Sequence, residues 1–292
     1  MKLADLALHS TTQAQLQHFI NSPTHAVLLS GADGIGKTAI AHAVAAVLLD
    51  IEPDRLQSYQ HFLTIRPEEQ GSIPIDAIRR LQKFLQLKTA GTSPYRRAIL
   101  VEHAHNLTLE AQNAYLKLLE EPPADTLMIL TVSSPRALLP TIRSRVQMIA
   151  VHLPAETQVQ PLLAASTIDE AAKRQAYLLS GGLPGLLVAL IASDAAHPLM
   201  AGVHTAKELL RMDTFERMCA ADSLGKHKDT AFSVLDAMER IAETCVTQAA
   251  AHNDSARVKQ WHRIRKLAFA AHEALASNAN AKLTVTNFLL QL

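Results

Sequence analysis

A glycine-rich loop that ends in a lysine and a hydroxyl is the segment of this chain best suited to chemistry. An apolar, strand-like run leads into it, and the whole segment, residues 26–38, reads AVLLSGADGIGKT. Its glycines let backbone N–H groups turn inward around an anion that a Cβ would crowd. The lysine supplies a point charge for the outer phosphates of a nucleotide, and the threonine supplies a hydroxyl for Mg²⁺. The residues with these roles are Gly31, Gly34, Gly36, Lys37 and Thr38.

A helix should follow this loop if the loop binds phosphate. The next residues, AIAHAVAAVLL, are alanine-rich and favour a helix whose positive end would point at the same anion. Strand, loop and helix thus occur in the order that a phosphate-binding loop requires, so we predict binding of ATP or GTP. The alternative is a chance occurrence of the pattern in an ordinary loop.

Composition bounds the class of protein. The chain has 292 residues, 48% of them hydrophobic, which suggests two or three domains with real cores. Its two cysteines, Cys219 and Cys245, exclude a disulfide framework and a four-cysteine zinc site, and fit a reducing compartment. No apolar run is long enough to span a membrane, and the N-terminus has no signal-like core, so we expect a cytoplasmic protein. A net charge of +1 means that nucleic acid could be bound only through a local patch.

Helices and strands alternate around the loop. Apolar residues at helical spacing predict helices over about 75–87 and 108–121. Apolar runs predict buried strands over 98–101, 127–132 and 146–151. This alternation predicts a three-layer α/β domain with a parallel sheet.

The chain changes character after Pro154. It becomes rich in alanine and leucine and has almost no strand signal, so we expect only helices there. We predict an α/β nucleotide-binding core over 1–154, a small helical unit over 155–200 and a helical bundle over 201–292.

Four segments carry a family resemblance: HAVLLSGADGIGKT, SIPIDAIRRLQKFL, LVEHAHNLTLEAQNAYLKLLEEPPADTLMILTV and LLPTIRSRV. Over roughly residues 15–150 they resemble the bacterial clamp-loader AAA+ subunits, above all the delta-prime subunits of DNA polymerase III, with gamma/tau as second choice. The resemblance implies a P-loop AAA+ module whose helical lid is 155–200, followed by an all-α C-terminal collar over 201–292. It also implies a complex with delta-like and gamma/tau-like partners that uses ATP to load a sliding clamp onto primed DNA.

Two departures from the family pattern bear on catalysis. Where working members carry an Asp for Mg²⁺ and a Glu that orients water, this chain has Glu102 and His103. Glu102 could still hold the metal, but imidazole is a poor substitute for the water-orienting carboxylate, and losing a positioned base costs about 10²- to 10⁴-fold in rate. In the lid, where the family would place an Arg that senses the γ-phosphate, residues 181–185 read GGLPG. We therefore predict binding of ATP with Mg²⁺, weak or no ATPase activity, and a stator rather than a motor.

The resemblance also implies a catalytic residue that acts on a neighbour. Arg145, in the sequence PTIRSR, resembles the family's trans-acting arginine finger, whose charged fork stabilises the transition state by about 10³- to 10⁵-fold in known cases. Arg143 would alternate to the other face of an extended segment, so it is interpreted as a structural or solvated charge. Ser133 corresponds to a polar residue that senses the γ-phosphate, or it caps a turn before Pro135.

Two other charged features have open interpretations. Glu120 and Glu121 end a predicted helix, where carboxylates oppose the helix dipole, so we expect them to have ion-pair partners. A direct functional role is the alternative. The basic run 257–266 contains Trp261 and could contact DNA. It could equally be the solvated face of a helix whose tryptophan packs inward.

The sequence predicts no zinc site and leaves three alternative functions open. Relatives often carry a cysteine-rich zinc insert, but residues 50–72 contain no cysteine, so we predict no zinc site. A gamma/tau-like motor of the same complex is the first rival. A different AAA+ ATPase of DNA repair is the second, and an interaction module that never binds nucleotide is the third.

Overall fold

The chain folds into two compact units, Met1–Pro161 and Leu162–Leu292. The computed structural model describes residues 2–68, 71–86, 89, 91–194, 197–277 and 279–292. All the strands among these residues belong to the first unit. The further division of the helical part into a lid and a collar stays a prediction.

The first unit alternates strands and helices. Its strands are β1 (Ala26–Ser30), β2 (Phe62–Ile65), β3 (Arg97–Val101), β4 (Thr126–Val132) and β5 (Gln147–Ala150). Its helices are α1 (Ser10–Asn21), α2 (Lys37–Leu49), α3 (Ile75–Leu85), α4 (Leu109–Glu120) and α5 (Pro140–Arg143). A further helix, α6 (Glu156–Ala164), contains the boundary between the units.

The five strands form one sheet in the order β2-β3-β4-β1-β5, and every neighbouring pair is parallel. All residues of β1, β3 and β4 are buried, as expected for inner strands covered on both faces. Because the strands are parallel, their carboxyl ends meet at one edge of the sheet, the carboxyl edge, and their amino ends at the opposite amino edge. The predicted α/β fold with a parallel sheet is confirmed.

Helices α3 and α4 cover part of the sheet with an apolar core. Ile78 and Leu81 of α3 and Tyr115 of α4 are fully buried in one cluster with Ile99 of β3. Each large side chain buried in this way contributes about 1.5–3 kcal/mol. This packing holds the strands whose ends carry the charged residues described below.

A buried carboxylate, Asp125, joins several elements at the amino edge. Its Oδ2 accepts hydrogen bonds from Nη2 of Arg96 and of Arg97, both at 3.3 Å, and from the Thr89 hydroxyl. Arg97 also donates to the Leu85 carbonyl oxygen at 2.7 Å, which ties in the end of α3. Burial raises the pKa of Asp125, but the Thr89 hydrogen bond and the Arg97 charge outweigh it and lower the pKa to about 2.

Within the described residues, the second unit consists of helices and the segments that connect them. Its helices are α7 (Glu170–Ser180), α8 (Pro184–Ala192), α9 (Pro198–Arg211), α10 (Thr214–Leu224), α11 (Lys228–Ala251), α12 (Ser255–Ala276) and α13 (Ala281–Gln291). Helix α11 packs against α9 and α12, and α10 packs against α13. Asp169, Asp213 and Asp254 accept hydrogen bonds at the starts of α7, α10 and α12, and such caps fix where a helix begins. The expectation of a helical C-terminal region is confirmed.

One strand was not predicted from the sequence. In β2 (Phe62–Ile65) only Ile65 is buried and the other residues are half-buried, because this strand lies at the end of the sheet. It is also only four residues long and Thr64 interrupts its apolar residues, so its signal in the sequence is weaker than that of an inner strand. Because β2 precedes it in the chain, the strand before Glu102 is the third strand along the sequence, whereas the sequence had indicated the second.

Two predicted segments differ in detail. The expectation of an extended segment around Arg143 is wrong, because Pro140–Arg143 form a short helix whose first residue, a proline, has its φ preset for helix. The helix predicted over 75–87 ends at Leu85, and residue 87 lies outside the described residues.

Candidate functional site

The loop between β1 and α2 turns tightly and leads directly into a helix. Gly34 and Gly36 have positive φ angles of 78° and 97°, which side chains rarely allow. A Cβ on Gly36 would have no atom within 4 Å, so the backbone there borders open space. A Cβ on Gly31, in contrast, would lie 2.7 Å from the carbonyl oxygen of Val151. Because Gly36 is the N-cap of α2, the first N–H groups of the helix lie beside the open space.

The ammonium group of Lys37 is held inside this loop. Its Nζ donates to the carbonyl oxygens of Gly31 and Ala32 at 2.7 and 2.9 Å, and to Oδ1 of Asp33 at 3.0 Å. The residue is only 6% exposed. Burial lowers the pKa of Lys37, and the neighbouring Asp33 opposes that shift. A phosphate in the loop would therefore find a cation already in position, which would have to exchange some of these contacts for phosphate oxygens.

Thr38 lies on the same side of α2 as a histidine near the acidic position. Thr38 and His42 are four residues apart, so they occupy one face of the helix. The ring of His42 meets that of Phe62 edge-on at 5.6 Å. Burial lowers the pKa of His42, while the nearby charge of Glu102 raises it and that of Arg66 lowers it. His42 thus packs on β2, and Thr38 lies one helical turn before it on the same face of α2.

Glu102, the predicted metal ligand, is paired with an arginine. It directly follows β3, its side chain is 9% exposed, and its Oε1 lies 3.0 Å from Nη2 of Arg66. Arg66 directly follows β2, and the hydrogen bond to Glu102 raises the pKa of the guanidinium. A carboxylate whose charge is already balanced by a guanidinium does not fit the role of a Mg²⁺ ligand.

His103, which we predicted to stand in place of the water-orienting glutamate, has an unusual backbone. Its φ is 50°, in the left-handed region that few non-glycine residues adopt. Its N–H donates to Oγ1 of Thr131 at 3.0 Å, and its ring lies edge-on to that of His105 at 5.6 Å. Thr131 of β4 thus holds the backbone of His103 in place. The side chain at this position, however, is an imidazole and not a carboxylate.

Ser133 also lies at the carboxyl edge. It directly follows β4 and its side chain is exposed. The loop residues, Glu102 and Ser133 therefore all lie at the ends of β1, β3 and β4. The sensing role of Ser133 stays a prediction.

Arg145 is anchored by its neighbours. Its Nη2 lies 2.9 Å from Oε1 of Glu120, the last residue of α4. Its Nη1 donates to the carbonyl oxygen of Thr141 at 3.1 Å and to the Ser144 hydroxyl at 3.4 Å. The side chain is 37% exposed. The guanidinium is thus oriented by the protein while part of it remains accessible.

Arg145 lies at the amino edge, away from the phosphate loop of its own chain. It precedes β5, in which Gln147 pairs with Val27 of β1. Gly31 lies four residues beyond Val27, which is about 13 Å along a strand. The sheet therefore separates this guanidinium from a nucleotide bound in the same chain.

The neighbouring charges only partly follow the expectations. Glu120 has the ion-pair partner that we expected, Arg145. For Glu121 we find no ion pair within the described residues. The Nε of Arg143 is buried without a hydrogen-bond partner. Arg143 is the last residue of α5, whereas Arg145 lies beyond the C-cap Ser144, so the two arginines do not belong to one helical face.

Sequence reasoning missed three residues that shape the site: Asp33, Arg66 and Thr131. Asp33 lies within the loop itself, so its nearness to Lys37 could have been noticed. Arg66 and Thr131 come into contact with the acidic motif only through strand pairing. Recognition of β2 would have drawn attention to Arg66, because Arg66 follows that strand as Glu102 follows β3.

The basic run lies on α12 of the second unit. Its charged side chains are exposed and Trp261 is half-buried. Arg263 donates to the Gln291 carbonyl oxygen at 2.9 Å, and Arg265 lies 3.8 Å from Glu243. Contact of this surface with DNA stays a prediction.

Two general features of the described residues bear on cofactors and membranes. They contain no group of three or more His, Cys, Asp or Glu side chains arranged to hold a metal ion. None of the helices that they form has the length and apolarity needed to cross a membrane.

Comparison with known proteins identifies the family. Residues 9–155 match the family described as DNA polymerase III, delta subunit. The chain is 36% identical over 195 residues to the DNA polymerase III subunit delta' of Pseudomonas aeruginosa, which is 61% of this chain and 57% of that protein. It is 31% identical over 187 residues to the subunit delta' of Escherichia coli K12, covering 58% of this chain and 55% of the relative.

A solved structure supports the fold along nearly the whole chain. A DNA polymerase III gamma subunit-related protein from Thermotoga maritima superimposes with a TM-score of 0.52 and 20% identity, over 96% of this chain and 97% of that one. This likeness confirms the expected AAA+ fold. The aligned part of the chain spans a little over half the length of the two delta' relatives. Since the family match covers half of its residues, the chain belongs to the DNA polymerase III delta subunit family, in which it is delta-prime-like.

Proposed function

We propose that this chain is a subunit of the DNA polymerase III clamp-loader complex, where it acts as a stator and as the donor of a trans arginine finger. Its partners would be delta-like and gamma/tau-like subunits, and the complex would use ATP to load a sliding clamp onto primed DNA. Residues 155–200 would form the lid and 201–292 the collar that joins the subunits.

The observation that carries this proposal is the location of Arg145. The guanidinium lies at the amino edge of the sheet, whereas the phosphate loop lies at the carboxyl edge. A partly exposed arginine so far from its own loop can meet a triphosphate only in another subunit. Its planar, permanently charged fork suits the charge that develops on a transferring phosphoryl group.

The phosphate loop of this chain would hold a nucleotide with little or no turnover. Lys37, Thr38 and the open backbone at Gly36 suit the phosphates of ATP. His103 offers no carboxylate to orient water, and Glu102 is engaged by Arg66. We therefore expect nucleotide binding by the isolated chain and an ATPase rate far below that of a motor subunit.

Reconstitution of the complex tests the finger. Arg145→Ala should leave assembly intact in size-exclusion chromatography and lower ATP hydrolysis by the neighbouring subunit about 10³-fold or more. Arg143→Ala is the matched control, because it removes a guanidinium two residues away and should leave the rate near that of the wild type. An unchanged rate with Arg145→Ala, or equal losses in both variants, would contradict the proposal.

The intact phosphate loop favours one alternative, a gamma/tau-like motor. That alternative predicts rapid ATP turnover by the isolated chain and loss of this turnover in Lys37→Ala. The repair ATPase predicts DNA-stimulated turnover without clamp-loader partners. The pure interaction module predicts no thermal shift with ATP and no effect of Lys37→Ala.

A further inference from the structure

A guanidinium lies where the fold would offer a carboxylate to a metal ion. Glu102 directly follows β3 and Arg66 directly follows the adjacent strand β2, so both lie at the carboxyl edge, as does the loop between β1 and α2. Nη2 of Arg66 donates to Oε1 of Glu102 at 3.0 Å. The carboxylate is 9% exposed and the arginine side chain is 61% exposed, so Arg66 covers the carboxylate from the solvent side.

This pair has consequences for any cation that approaches the site. Mg²⁺ keeps most of its water and binds through one or two carboxylates together with phosphate oxygens. Here the carboxylate has a permanent positive partner, and a divalent ion beside Glu102 would also be repelled by Arg66. At the same time, Arg66 removes the repulsion that a bare buried carboxylate would exert on the phosphates of a nucleotide.

We propose that Arg66 replaces Mg²⁺ as the countercharge of Glu102, so that the phosphate loop of this chain accepts a nucleotide without requiring a metal ion. This inference rests on the nucleotide-binding part of the proposed function. It also accounts for an intact phosphate loop beside an acidic motif without a second carboxylate. Such a loop would retain its nucleotide as a structural ligand and would not assemble a metal-dependent hydrolytic site.

Titration of the full-length chain with a fluorescent ATP analogue, once in excess Mg²⁺ and once in excess chelator, tests the inference. For the wild type we expect the two dissociation constants to agree within about threefold. Arg66→Gln frees Glu102 to repel phosphate and to attract the metal, so Mg²⁺ should then tighten binding by about tenfold or more.

Arg79→Gln is the matched control. Arg79 is 63% exposed and lies 2.8 Å from the carboxylate of Asp76, so it resembles Arg66 in exposure and pairing but lies on α3. This variant should behave as the wild type does. Glu102→Gln leaves the Arg66 guanidinium without its countercharge, so binding in excess chelator should become tighter than that of the wild type. An unchanged affinity in chelator would count against the inference, which keeps the test decisive if Arg66→Gln does not fold. Lys37→Ala should abolish binding and so locate the signal in the loop.

Three further outcomes would overturn the inference. The first is a wild type whose affinity rises more than about threefold with Mg²⁺. The second is Arg66→Gln that folds, as judged by circular dichroism, yet shows no greater metal dependence than Arg79→Gln. Both would leave the proposed function standing. The third is absence of nucleotide binding by the wild type in either condition, which would also overturn the nucleotide-binding part of the proposed function.

Discussion

Buried charged side chains have buried partners at one edge of the sheet and exposed partners at the other. At the amino edge Asp125 and Arg97 are both buried, and their hydrogen bonds tie strands to a helix. At the carboxyl edge each buried charge has a partner with about half or more of its side chain exposed; the pairs are Lys37 with Asp33 and Glu102 with Arg66. A pair buried on both sides can only stabilise the fold. A pair with one exposed member can open toward a ligand, so we infer that the Asp125–Arg97 pair serves structure and that the two carboxyl-edge pairs serve binding.

The largest effect should follow from breaking the amino-edge pair. Asp125→Asn leaves Arg97 buried without its countercharge, and breaking a buried pair in this way costs about 3–5 kcal/mol. We expect the free energy of unfolding to fall by about 3 kcal/mol. Urea unfolding followed by circular dichroism measures the loss, and faster hydrogen exchange of β3 and β4 amides would assign it to the first unit.

Asp76→Asn provides the control for this comparison. Asp76 also lies close to an arginine, at 2.8 Å, but its side chain is 69% exposed. Removal of such a pair changes stability by less than about 0.5 kcal/mol. Equal losses in the two variants would contradict the structural role of the Asp125–Arg97 pair.

The pH dependence of stability should report on the same carboxylate, Asp125. The pKa of Asp125 falls from an unperturbed 3.8 to about 2 in the folded chain. A depressed folded pKa adds stability above the unfolded pKa, and this contribution is lost as the pH falls through the folded value. Between pH 4 and pH 2 the wild type should therefore lose about 2 kcal/mol that Asp125→Asn cannot lose. Urea unfolding of both proteins across this range tests the prediction, which fails if their difference in stability stays constant.

At the carboxyl edge, two glycines of the loop should respond to alanine for different reasons. Gly31→Ala forces a Cβ to within 2.7 Å of the Val151 carbonyl oxygen, and overpacking of this kind costs about 1–3 kcal/mol. Gly36→Ala meets no atom, but its φ of 97° strains an alanine by about 1 kcal/mol. We expect Gly31→Ala to be the more destabilising in thermal unfolding. The reverse order would mean that backbone strain at Gly36, and not the contact of Gly31 with Val151, sets the shape of the loop.

Contiguous motifs are what the sequence predicts well in this molecule. The loop from Gly31 to Thr38 and the inner strands could be recognised because glycine spacing and apolar runs are local patterns. Arg66 could not be assigned, because it is 36 residues from Glu102 and meets it only through pairing of a short edge strand whose apolar residues Thr64 interrupts. The structural role of Asp125 could not be predicted for a similar reason, since it depends on three elements that meet at the amino edge.

The same reasoning applies to the anchor of the proposed finger. Glu120 and Arg145 form an ion pair at 2.9 Å, and both side chains are partly exposed. The sequence predicted a partner for Glu120 from the helix dipole alone. The same argument also predicted a partner for Glu121, for which no ion pair is found within the described residues, so the helix-end position alone does not decide which carboxylate is paired. The identity of the partner required the tertiary fold.

The smallest effect should come from Glu120→Gln. Because both side chains of the pair are partly exposed, stability should change by less than about 0.5 kcal/mol. In the reconstituted complex, however, Arg145 would lose one of its anchors, and we expect hydrolysis by the neighbouring subunit to fall about threefold. Glu121→Gln is the matched control, since it removes the adjacent exposed carboxylate and should leave the rate unchanged. If both variants hydrolyse ATP at the wild-type rate, Glu120 serves only as a surface ion pair, and the hydrogen bonds to Thr141 and Ser144 suffice to orient the guanidinium.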